Sequence, residues 1–170
     1  MATGALASIA EYLSTSYRPD CDYVDGVILE RHVGERTHSK LQMLLSGALF
    51  IRRQELGIHV FPEQRVQVKP TRFRVPDICV VVGADPGEEI LTSPPFLSIE
   101  ILSKDDRMSE MQERIDDYLT FGVAYVWLID PLRRRAFIYT AVGSHQVDDG
   151  MLRTSNPEIA VPLSEIFGPL

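Results

Sequence analysis

Two acidic residues interrupt runs that otherwise read as buried strands. Asp77 follows Pro76 directly ahead of Ile78-Cys79-Val80-Val81-Val82, and Glu100 lies inside Phe96-Leu97-Ser98-Ile99-Glu100-Ile101-Leu102. An ionised carboxylate among packed apolar side chains is costly unless it is paired, hydrogen-bonded or bound to a cation. If the two strands are neighbours, the acids converge. Together with a main-chain carbonyl, they make a hard oxygen site of the kind Mg2+ takes, with positions left for waters and a phosphate. Phosphodiester hydrolysis is the natural use of that arrangement. Pro-Asp pairs are common in any chain of this size, so the unexplained strand glutamate carries more of the argument than Asp77 alone.

Other candidates are weaker. His38, at the start of a helical stripe, can contact a phosphate or polarise a water, and reads equally well as a hydrogen-bonded histidine at the edge of a core. Glu30, Glu35 and Glu63 are candidate third metal ligands if the neighbouring segment folds over the acids; all three read just as well as solvated charges. Glu63 is the best placed, because it precedes the first strand of the hairpin that carries Asp77. Tyr125 and Trp127 alternate on a buried strand and are assigned to packing.

The elements that must position these groups follow from periodicity. A short helix around Ile9 and Leu13 ends in the turn cluster 14–20, and Asp25-Gly26 joins Tyr23-Val24 to Val27-Ile28-Leu29 as a tight hairpin. Leu41, Leu44, Leu45, Ala48 and Leu49 form one stripe of a helix predicted over 37–56, with Thr37 as its cap and Gly57 as its stop. The stretch 58–82 reads as two strands joined near Pro70-Thr71. Met111, Ile115, Tyr118 and Leu119 predict a helix over 109–121 ended by Gly122; a buried strand over 123–129 and a hairpin partner over 136–140 follow. The order of elements and the central strands buried on both faces predict an α/β layer structure with a central mixed sheet flanked by helices.

The length of 170 residues suits one domain, 1–170. Within it, 1–20 reads as an N-terminal helix and turn, 22–140 as the core and 141–170 as a C-terminal extension. No apolar run approaches the ~20 residues that cross a bilayer, no basic leader is visible, and Cys21 and Cys79 make no disulfide framework, so a cytoplasmic location without membrane contact is expected. The net charge of −7 argues against a generally sticky nucleic-acid coat protein. Its distribution is uneven: between Arg31 and Arg74, nine basic residues face three acids. That segment can line a phosphate groove or form a solvated helix and charged hairpin.

Pro76-Asp77 on one strand and Glu100-Ile101-Leu102 on the next resemble the proline-aspartate and glutamate-x-lysine motifs of the PD-(D/E)XK nuclease superfamily. Asp25-Gly26, His38, Arg74-Val75-Pro76-Asp77, Glu100-Ile101-Leu102-Ser103, Tyr118 with Gly122-Val123, and Trp127-Leu128-Ile129-Asp130-Pro131 together resemble the Uma-type family of restriction-endonuclease-like proteins. The resemblance spans roughly Asp22 to Tyr139. It implies a restriction-endonuclease-like fold and a Mg2+- or Mn2+-dependent endonuclease acting on DNA, with Asp77, Glu100 and the Ile101 carbonyl as metal ligands; Glu63 remains the candidate third side chain from its place in the chain. One position departs from the pattern: Leu102 stands where the superfamily has its lysine, and it can neither donate a proton nor orient a water. In the resembling family a lysine often sits in the following helix, where this chain has Arg114. Lys104 competes for the role, since alternation puts 100, 102 and 104 on one face if the strand persists. A degenerate nuclease fold kept for binding or scaffolding is the alternative suggested by Leu102, and a carboxylate-pair glycosidase ranks third. A homodimer is expected, because cutting both strands of a duplex is simplest with two sites related by a two-fold axis.

Overall fold

The computed structural model describes residues 6–32 and 34–168. The first five residues of the predicted N-terminal segment lie outside that range. The chain opens with α1 (Ile9–Ser14), whose N-cap Ser8 accepts a hydrogen bond from the Glu11 N–H, followed by the hairpin β1 (Asp22–Val24) and β2 (Val27–Leu29). Asp25 and Gly26 take φ of 49° and 97°, the positive values that the tight turn requires. Helix α2 (Arg36–Ile51) buries His38, Leu41, Leu45 and Leu49 along one face. Its N-cap is Glu35 and no side chain caps it, so Thr37 does not play the capping part predicted for it. The predicted single helix also breaks at Arg52 into α2 and a short α3 (Arg53–Leu56), which Gly57 ends in the left-handed conformation.

The stretch 58–82 holds four strands rather than two: β3 (Ile58–Pro62), β4 (Val66–Lys69), β5 (Arg72–Arg74) and β6 (Ile78–Val82). The predicted turn at Pro70-Thr71 does join β4 to β5, but that hairpin belongs to a four-stranded sheet of order β2-β1-β5-β4, whereas β3 and β6 pair with each other elsewhere. Pro76 explains the break. It has no N–H to give a ladder, so the chain leaves one sheet after Arg74 and enters the other at Ile78. Asp77 sits at that crossing.

The remaining elements are β7 (Leu97–Ile101), α4 (Met108–Phe121), β8 (Tyr125–Asp130), β9 (Arg135–Thr140), β10 (Gly143–Gln146), β11 (Met151–Arg153), β12 (Ala160–Pro162) and α5 (Leu163–Phe167). Gly122 closes α4 with φ of 113°, as predicted, and a Cβ there would stand 3.2 Å from the Pro94 ring. The large sheet has the order β10-β9-β8-β7-β6-β3; it is mixed, with β7 and β8 parallel and every other pair antiparallel. This is the mixed α/β architecture expected.

Strand alternation divides the core between the two faces of the large sheet. Leu97, Ile99, Ile101, Trp127 and Ile129 pack with Leu41, Leu45 and Leu49 of α2; Val126 and Leu128 pack with Met111, Ile115 and Tyr118 of α4. Leu152, Ile159, Val161, Leu163 and Ile166 join the α2 side. These five residues lie in the segment expected as a C-terminal extension, and they share the cluster that α2 and the large sheet form. A third cluster of Tyr12, Tyr23 and Phe73 fastens α1 to the small sheet. The strand β9 is paired on both sides and buries Ala136 and Ile138, while α1 turns Tyr12 inward. No helix among the described residues is long and apolar enough to cross a membrane.

Candidate functional site

The acids of the two interrupted strands do meet. β6 and β7 are antiparallel neighbours with Ile78 opposite Ile99, so one further step of the same register sets Asp77 across from Glu100. Both side chains are buried, at 2% and 1% exposure. Glu100 shares the α4-facing side of β7 with Ser98, which is why two residues of α4 reach it: Tyr118 Oη donates to Oε1 at 2.6 Å and Arg114 Nη1 to Oε2 at 3.2 Å. Asp77 is held from three directions. Its Oδ1 accepts from Arg31 Nη2, while Oδ2 accepts from the Ile101 N–H at 2.8 Å and lies 3.2 Å from His38 Nε2. Its own carbonyl accepts from Gln42 Nε2 of α2 at 3.0 Å, which ties the crossing segment to that helix.

Behind this pair lies a second layer of buried charge. Arg114 Nε reaches Asp22 Oδ2 at 3.1 Å, Arg74 Nη1 reaches the same oxygen at 3.0 Å, and Arg74 also grips Asp117 of α4 at 2.7 Å. Asp22 Oδ1 accepts from the Val75 N–H at 2.9 Å, which fixes the chain just ahead of Pro76. Lys69 approaches Asp117 from the rim at 2.8 Å. The network joins the small sheet to α4 and to the acids of the large sheet. Every buried carboxylate in it has a cationic partner, as burial requires.

The electrostatics split the two acids. Burial alone would push both carboxyls up. At Asp77 the His38 hydrogen bond, the Arg31 charge and the Ile101 N–H outweigh burial and hold the group below the ordinary range. At Glu100 burial wins: despite Arg114, and with the Asp77 charge adding to the effect, its carboxyl is pushed up to about 7. His38 is raised, since its hydrogen bond to Asp77 and that charge overcome the cost of burial. Arg114 is also raised, because Asp22 and Glu100 overcome its desolvation. It stays charged and cannot serve as a base.

A small recess bounded by Arg31, His38, Asp77, Glu100, Asp106 and Arg114 holds this machinery. His38 and Asp106 also line an open cleft of about 370 Å3 whose other walls include Leu102, Ser103, Lys104 and the turn 130–133, so the recess lies at the end of an accessible groove. The donor set suits a hard cation. Mg2+ is commonly held by one or two carboxylates with waters completing its shell, which two adjacent carboxylates satisfy. Among the described residues no third His, Cys, Asp or Glu completes a ligand cluster.

The structure thus brings Asp77, Glu100, Ile101, His38 and Arg114 together, and sets two other candidates apart. Lys104 lies past the end of β7, its side chain 71% exposed and paired with Glu35 at 3.3 Å, because the strand does not persist far enough to keep it on the Glu100 face. Glu63 occupies a turn with φ of 52° and is exposed; only its backbone N–H approaches the site, donating to the Asp77 carbonyl at 3.2 Å. Three participants were missed: Arg31, Asp22 and Asp106. Arg31 was counted only within the basic segment, and nothing in its local pattern signals a return to Asp77 from 46 residues away. Among the described residues, six of the nine basic residues of that segment have acidic partners: Arg31 with Asp77, Arg74 with Asp22 and Asp117, Arg65 with Asp20, Arg72 with Asp25, Lys69 with Asp117 and Arg52 with Glu165.

The Uma2 family, described as "Putative restriction endonuclease", matches residues 9–164. The chain belongs to this family. Among solved structures, the Uma2 chain is similar to a protein described as "a putative nuclease belonging to DUF820" from Anabaena variabilis ATCC 29413, with a TM-score of 0.79 and 23% identity over 93% of this chain and 96% of that one. That likeness establishes the restriction-endonuclease-like fold. No curated protein matches the chain.

Proposed function

We propose that this Uma2 protein is a divalent-metal-dependent endonuclease that hydrolyses DNA phosphodiester bonds, with Asp77, Glu100 and the Ile101 carbonyl holding Mg2+ or Mn2+. The observation that carries the reading is the meeting of two buried carboxylates at the end of an open cleft, ringed by guanidinium groups. A bound ion would supply Lewis-acid polarisation of a phosphoryl oxygen and lower the pKa of a coordinated water. The chain's own residues do the rest. A water oxygen bonds to phosphorus as the bond to the leaving deoxyribose oxygen breaks, the attacking water giving a proton to solvent and the leaving oxygen taking one from solvent water. Arg114, clamped between Asp22 and Glu100, places a fixed positive charge beside the charge that develops, in the role left open by Leu102. His38 and the Ile101 N–H orient the Asp77 carboxylate.

One observation favours a second reading, a nuclease fold kept for binding. Leu102 supplies no cation, and the carboxylates are already partnered by protein donors. Isothermal titration with Mn2+ separates the two: the nuclease reading expects saturable binding by the wild type that Asp77→Ala abolishes, whereas equal heats from both proteins would sink it. Cytoplasmic location and a homodimer belong to the same proposal. Light scattering that returned the mass of a single 19.2 kDa chain at micromolar protein would remove the dimer.

A further inference from the structure

Arg31 carries more donors than its surroundings use. Its side chain is 2% exposed, yet only Nη2 has a partner, Asp77 Oδ1; Nε and Nη1 are buried without an acceptor among the described residues. Buried donors left unpaired are uncommon and costly, and an arginine is an expensive counter-ion if one N–H is all that is needed. Arg31 is one of the residues that line the small recess with Asp77, Glu100 and Arg114, and His38 and Asp106 connect that recess to the open cleft. The side chain is therefore poised for a second partner that brings acceptor oxygens.

The shape of guanidinium says which class of partner. Nη2 belongs to both two-nitrogen edges, the one shared with Nε and the one shared with Nη1, so releasing it from Asp77 completes a planar fork that matches two oxygens of a phosphate. A divalent cation held by Asp77 would compete with Arg31 for that carboxylate. We propose that Arg31 exchanges partners: it holds Asp77 while no cation is bound, and grips a phosphodiester of DNA once that carboxylate turns to the cation. This rests on the metal-site reading above and adds a phosphate-positioning residue, with binding of cation and of phosphate linked through one side chain. Arg114 differs, because Asp22 holds its Nε whether or not Glu100 turns to the cation.

The test uses the full-length protein and a fluorescein-labelled DNA duplex, with anisotropy read in EDTA and in Ca2+, and calcium binding without DNA measured by calorimetry. Arg31→Gln is expected to weaken duplex binding by about tenfold or more in Ca2+ and by less than about twofold in EDTA, since the side chain reaches phosphate only after release. Its calcium affinity is expected to equal or exceed that of the wild type, because the competing cation is gone. Arg31→Lys keeps the charge without the fork and covers the case in which the glutamine variant fails to fold; it is expected to lose affinity in Ca2+ alone. Equal losses in EDTA and Ca2+, or no loss in either, overturn the exchange. A wild type that binds no calcium overturns the metal-site reading and the exchange with it, whereas calcium binding with unchanged duplex affinity in the variants overturns the exchange alone.

Discussion

Glu100 is a carboxyl that the fold holds at a cost, and Glu100→Gln measures it. Burial raises the group from its ordinary 4.5 to about 7, so between those values the folded chain binds a proton that the unfolded chain has released. Stability contributed by that proton is complete below pH 4.5 and is lost as pH rises through about 7. A displacement of this size corresponds to about 3 kcal/mol in mild alkali. Glutamine keeps an acceptor for Tyr118 Oη but loses the charged bond to Arg114, which retains Asp22. The pull of Arg114 on the ionised carboxylate is already contained in that displacement. The variant is therefore expected to be about 3 kcal/mol more stable than the wild type at pH 8, a rise in Tm of roughly 6–12 °C for a chain of this size, and no more stable at pH 4.5. Urea unfolding of both proteins in EDTA across that pH range gives the difference directly. A wild type as stable as the variant at pH 8, or a gap independent of pH, would refute the reasoning that burial dominates at Glu100.

Two further outcomes follow from the charge network. Arg74 is 2% exposed and neutralises Asp22 and Asp117 together, so Arg74→Ala should cost about 3–5 kcal/mol in urea unfolding, and a loss under about 1 kcal/mol would show that Lys69 and Arg114 suffice. Arg114→Ala should lower plasmid-nicking turnover more than about tenfold while Arg114→Lys retains substantial activity and Lys104→Ala stays within about twofold; the reverse ranking of Arg114 and Lys104 would move the cationic role to the loop after β7.

What could be read from the sequence was whatever local periodicity encodes. The stripes around Leu45 and Ile115, the stops at Gly57 and Gly122, and the misfit of Glu100 in an apolar strand each declare themselves within a few residues. Those signals located the acids and the helix that carries Arg114. Long-range pairing left no such trace. Nothing near Arg31 announces Asp77, nothing near Asp22 announces Arg114, and the switch of sheets at Pro76 resembles an ordinary continuation from β5 into β6. The segment after Gly150 was opaque for a related reason: Leu152, Ile159, Val161 and Ile166 are spaced by turns rather than by one period, and only their docking on the α2 side shows that they are core. Lys104 was a candidate only because alternation was extended beyond the residue where β7 ends.

The central claim is cleavage at the Asp77 and Glu100 pair, and its most direct test is nicking of supercoiled plasmid by the purified wild type with Mg2+ or Mn2+, beside EDTA and beside Asp77→Asn. The account predicts conversion to the open-circular form with either ion, none in EDTA, and none by the variant although it remains folded. Cleavage by Asp77→Asn at the wild-type rate, or wild-type cleavage undiminished in EDTA, would contradict it.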